Sequence, residues 1–66
     1  MPSISVIIPV YNSEETLDAL VDRTLKVLGE MGVEHEMILV NDGSPDGSWR
    51  KIQELATQHP ELRGID

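Results

Sequence analysis

The stretch ILVNDGSPDGSW, residues 38–49, carries the end of an apolar run directly into an acidic, glycine-containing turn. Met37 to Val40 reads as a short buried strand, because strand-forming residues are bounded on both sides by polar turn residues. After the turn, Ser44 or Asp46 can cap a helix, with Pro45 just inside its start. Trp49, Ile52, Leu55 and Ala56 recur at helical spacing as one apolar stripe, and Pro60 closes the segment. Residues 37–60 are therefore expected to run strand, acidic turn, helix.

The same theme occurs upstream. Ile4 to Val10 is a nearly continuous β-branched run, the pattern of a strand covered on both faces in a parallel sheet. Pro9 falls near its end, where a missing N–H is tolerated. Asn12 stands three residues before Glu15, an N-cap with a reciprocal partner, and acids crowd the turn where a helix dipole favours them. A helix is expected from there, with Leu17, Leu20, Val21, Leu25, Leu28 and Met31 on its buried face and Gly32 ending it. Leu62 to Asp66 starts a third strand. The order β-α-β-α-β predicts parallel strands joined by right-handed crossovers, an α/β fold that begins a three-layer nucleotide-binding domain. In such sheets ligands sit beyond the carboxyl ends of the strands, where neighbouring connections diverge. That places Tyr11 to Glu15 and Asn41 to Gly47 at the interesting end.

Composition narrows the functional classes. The chain has 66 residues and no cysteine, so disulfides and cysteine-ligated zinc are excluded. A single small domain, or the first part of a larger one spanning residues 1–66, is what this length supports. Twelve acids against five bases give a net charge of −7, which argues against a partner with a phosphate backbone such as nucleic acid. No apolar run approaches the ~20 residues that span a bilayer. Met1-Pro2-Ser3 has no basic segment ahead of the apolar residues, so a signal peptide is not expected and a cytosolic location is.

Both common phosphate cradles are missing at the strand ends. The loop after the first strand is Y-N-S-E-E, without a glycine, and no G-x-x-x-x-G-K-[ST] occurs. Asp42, Ser44, Asp46 and Gly47 imitate the start of a calcium loop, but its twelfth position is Gln53, where a bidentate glutamate is required. What remains is a strand-end aspartate, Asp42, with a flexible Gly43, an aromatic Tyr11 and several acids. This set can accept hydrogen bonds from a base or ribose and would repel phosphates. Asp46 reads as a turn or cap residue, Trp49 as a core anchor, and His35 as a solvent-exposed residue before a strand.

SVIIPVYNSEETL (5–17), EMILVNDGSPDGSW (36–49) and LRGID (62–66) together resemble the start of the family 2 glycosyltransferases. The resemblance runs from Ser3 to Asp66 and rests on a P-x-Y-N element and a strand-ending D-G-S-x-D element at this separation. It implies a GT-A, Rossmann-like fold and transfer of a sugar from a nucleotide diphosphate donor. It further implies that Pro9, Tyr11 and Asn12 line the nucleotide pocket and that Asp42 accepts a hydrogen bond from the base, commonly the N3–H of a uracil. Glu15 matches a position that is usually acidic, where capping is an equal explanation. The E-E-T-L continuation and RGID are most similar to the polyprenyl-phosphate sugar transferases, which include dolichol-phosphate mannose synthases.

The family places its metal-binding D-x-D pair, which holds Mg²⁺ or Mn²⁺ on the donor diphosphate, and its catalytic base beyond the third strand. Neither D-x-D nor a Ser-His-Asp constellation occurs in these 66 residues. The chain is therefore expected to bring the base-binding half of a donor site, with the metal ligands elsewhere and membrane attachment, if any, through other segments. The reading from a different class is a non-catalytic α/β nucleotide-binding or interaction module that completes its sheet by associating with another chain.

Overall fold

A computed structural model of the chain describes residues 4–66. Strand β1 spans Ile4–Val10, helix α1 Leu17–Glu30, strand β2 His35–Asn41, helix α2 Ser48–Gln58 and strand β3 Leu62–Ile65. The expected β-α-β-α-β order is thus present, and the strands form one sheet in the order β1-β2-β3, both pairings parallel. Val10 lies opposite Asn41 at the carboxyl edge, so the residues that follow, Tyr11 and Asp42, leave the sheet side by side. The ladder continues one step past β2, with the Asp42 N–H donating to the Val10 carbonyl at 2.9 Å. At the other end the Ile4 N–H donates to Glu34, so the even-numbered residues of β1 bond to β2. The missing N–H of Pro9 therefore falls on the outer edge, where it costs no ladder bond.

Both helices pack on one face of the sheet. Val10 from β1, Met37 and Leu39 from β2, and Leu62 from β3 form a single core with Leu17 and Val21 of α1 and Ile52 and Leu55 of α2. Trp49 packs against the edge of this core, as its place in the apolar stripe predicted. Gly64 makes this close approach possible: a Cβ there would collide with the Ile52 side chain and press on the Trp49 ring. Lys51 and Asp18, 2.6 Å apart, join the two helices at the surface.

The opposite face of the sheet carries no helix among the described residues, although Ile38 on the central strand is still buried there. β1 alternates in burial, and Ile7, which points away from the helices, is 63% exposed. Ile65 on β3 is likewise exposed on that side. Both crossovers carry their helices to the same side, so among the described residues β1 is covered on one face. For the same reason the connections after β1 and β2 do not diverge from each other.

Helix α1 also starts later than the Asn12–Glu15 capping pattern predicts. Asn12 adopts a left-handed conformation, φ +50°, and the Ser13 carbonyl accepts from the N–H groups of both Thr16 and Leu17. Residues 13–16 form a tight turn, so the first helical residue is Leu17. The end is as expected, with Gly32 at φ +70° just beyond the last turn. Pro45 lies outside α2, three residues before its first residue, Ser48.

Candidate functional site

The β1–α1 and β2–α2 loops emerge together at the carboxyl edge and are bonded to each other at several points. The Asn12 N–H donates to Ser44 Oγ at 3.1 Å, and the Ser44 hydroxyl donates to the Val10 carbonyl at 3.4 Å. The Ser13 N–H donates to Ser48 Oγ at 2.9 Å. The Glu14 N–H donates to Asp46 Oδ2 at 3.3 Å, and in return the Gly47 N–H donates to Glu14 Oε1 at 3.1 Å. Asp46 Oδ1 accepts from both the N–H and the hydroxyl of Ser48, at 3.0 and 2.5 Å. Each bond crosses between residues 11–16 and residues 42–48 or anchors one of those partners, so the two loops behave as one surface.

Asp46 is therefore a turn residue: Gly47 occupies the N-cap of α2 with no side-chain cap bond, and Asp46, one residue earlier, holds the Ser48 N–H and hydroxyl and also links the loops. The Ser48 hydroxyl, ahead of its backbone bonds, holds the Asp46 carboxyl below the usual range despite partial desolvation. A carboxyl lowered on folding stabilises the fold above its unfolded-state value. That contribution is lost as pH falls through the folded-state value, so the link is intact at neutral pH.

The residues singled out in the sequence fall on this surface in different ways. Tyr11 is 61% exposed, and Asn12, Glu15 and Asp42 are also exposed. No hydrogen bond engages the Asp42 carboxylate or the Tyr11 hydroxyl among the described residues, which leaves both available to a ligand. Pro9 is exposed on the helix-free side of β1. Glu15 and Asn12 line a shallow hollow with Ser13, Glu14, Thr16 and Asp46. Asn41, buried at the end of β2, donates to Asp66 at 2.7 Å. His35 is half-buried and donates through Nδ1 to the Val33 carbonyl. Glu14 and Ser48 carry cross-loop bonds that sequence reasoning missed, since their partners lie more than thirty residues away.

A larger hollow opens at the opposite, amino-terminal edge, between Gly32–Glu36 and Pro60–Arg63. Its lining includes Glu34, Glu36 and Glu61 alongside His35 and Arg63, and parallel α/β sheets present their ligands at the other end. Among the described residues, no group of three or more His, Asp or Glu side chains converges to hold a metal ion.

The family model described as "Glycosyl transferase family 2" matches residues 5–66. The chain belongs to glycosyl transferase family 2. Within that family it is 49% identical, over 80% of its length, to the undecaprenyl-phosphate 4-deoxy-4-formamido-L-arabinose transferase of Proteus mirabilis. It is 44% identical, over 86% of its length, to the dolichol-phosphate mannosyltransferase of Pyrococcus furiosus. A third relative, the undecaprenyl-phosphate 4-deoxy-4-formamido-L-arabinose transferase of Edwardsiella ictaluri, is 43% identical over 94% of the chain. The matched segments make up only 16–19% of these relatives' own lengths. The likeness to polyprenyl-phosphate sugar transferases seen in E-E-T-L and RGID agrees with the names of all three. No described helix is long and apolar enough to cross a membrane.

Proposed function

We propose that this chain supplies the base-binding half of the donor site of a glycosyltransferase, which passes a sugar from a nucleotide diphosphate carrier to a polyprenyl phosphate. The observation that carries this reading is the parallel exit of β1 and β2, which sets Tyr11 and the unpartnered Asp42 side by side at the carboxyl edge. Asp42 accepts an N–H of the base, and Tyr11 and Asn12 bound the space beside it. Glu14, Glu15 and Asp46 nearby keep the diphosphate at a distance, so the base enters this end and the phosphates extend away from it. Neutralising the diphosphate and orienting the acceptor phosphate, whose oxygens are already ionised near neutral pH, fall to groups outside these residues. The names of the relatives support polyprenyl phosphate as the acceptor class.

The open sheet face is the one feature that favours a module completed by another chain. The family match over residues 5–66 weighs for the transferase. The test is a thermal-shift panel on the intact protein. Uridine and guanosine diphosphates and their sugars should raise Tm well above what inorganic pyrophosphate achieves. An equal shift with pyrophosphate alone would rule out recognition through the base.

A further inference from the structure

The cross-loop bonds supply a second role for two acids that the reading above uses only for their charge. Glu14 and Asp46 each accept a backbone N–H from the other's loop: Glu14 Oε1 from Gly47, and Asp46 Oδ2 from Glu14 itself. A surface carboxylate usually has water as its partner, so a reciprocal pair spanning two loops is a specific arrangement. It also brings two negative charges close together, a cost offset by the N–H donors between them. Asp46 is fully engaged, with Oδ1 on Ser48 and Oδ2 on Glu14. Glu14 uses one oxygen.

We propose that Glu14 and Asp46 are positioning residues, a reciprocal tie that fixes the β1–α1 loop against the β2–α2 loop so that Tyr11, Asn12 and Asp42 meet a nucleotide base as one preformed surface. This rests on the base-binding reading given above. Neither carboxylate touches the ligand. Their effect on affinity comes from removing the ordering cost of two loops that would otherwise move independently.

The inventory of acceptors makes the prediction asymmetric. Glu14→Gln keeps a carbonyl oxygen for the Gly47 N–H and should leave the affinity of the intact protein for uridine diphosphate within about twofold. Glu14→Ala removes the acceptor and should weaken affinity on the order of tenfold. Asp46→Asn keeps only one acceptor oxygen and sets its NH₂ against either the Glu14 N–H or the Ser48 donors. Although conservative in shape, it should weaken affinity as much as Glu14→Ala does. Because both remove the same tie, the double variant Glu14→Ala/Asp46→Asn should be little weaker than either single one.

Calorimetry gives the affinities, and amide hydrogen exchange on the ligand-free protein gives the mechanism. Exchange at Gly47 should accelerate in Glu14→Ala and not in Glu14→Gln, while the core amide of Ile52 stays protected in both. Equal affinities for wild type, Glu14→Ala and Asp46→Asn would overturn the tie. So would Gly47 exchange that Glu14→Ala leaves unchanged, which decides the matter even if Asp46→Asn fails to fold. Asp42→Ala, run alongside, separates the two ideas. If it weakens binding and the tie variants do not, only the tie fails; if it too has no effect, the base-binding reading has failed first.

Discussion

Leu39→Ala is expected to destabilise the 66-residue chain by about 2–5 kcal/mol, the range for emptying a fully buried leucine site. Leu39 lies on the central strand, fully buried, and packs with Val10, Leu17 and Ile52 in the single core. A domain of this size has a stability of roughly 0.05–0.15 kcal/mol per residue, so the substitution removes much or all of it. Urea denaturation followed by Trp49 fluorescence measures the loss, because Trp49 packs at the rim of that core. Ile7→Ala is the control. Ile7 sits one strand away but on the open face, and its truncation should cost less than about 0.5 kcal/mol. Similar losses for the two variants would mean that both faces are covered and that the one-sided helix layer is wrong. The same Ile7→Ala change made in the intact protein then reports whether other residues cover this face.

The second large effect concerns binding. Asp42→Ala in the intact protein should weaken the affinity for a nucleoside diphosphate by about 1.5–3 kcal/mol, the range for losing a charged hydrogen-bond partner. At roughly 1.4 kcal/mol per factor of ten, that is about a 10- to 150-fold rise in Kd. Three features point to Asp42 in preference to its acidic neighbours. Its backbone is fixed by the bond to Val10, its side chain is exposed at the carboxyl edge, and its carboxylate has no partner among the described residues. Asp46 and Glu14 are committed to the loops themselves. Calorimetry showing an unchanged Kd would remove Asp42 from the site.

The three strands and their parallel pairing were legible because buried β-branched runs separated by helical stripes leave few alternatives. The juxtaposition of Tyr11 and Asp42 at the carboxyl edge followed from that pairing. What the sequence concealed was non-local. Asn12 and Glu15 have the spacing of a capping box, but Asn12 N–H, Ser13 N–H and Glu14 N–H find acceptors on Ser44, Ser48 and Asp46. Those bonds hold residues 12–16 in a turn and delay the helix to Leu17. A local pattern cannot compete with partners that arrive from across the fold. The run Ile4 to Val10 is suited to burial on two faces, and the described helices cover one of them. Glu14 drew no assignment from the sequence, and only the approach of Gly47 gives it one.

Everything assigned to function depends on the carboxyl edge, and not the amino edge, receiving the nucleotide. Amide chemical-shift mapping of the intact, isotope-labelled protein with uridine diphosphate tests this most directly. Perturbations should centre on Tyr11–Ser13 and Asn41–Ser44 and fade toward the far end of the sheet. Perturbations centred on Gly32–Glu36 and Glu61–Arg63, around the opposite hollow, would contradict it.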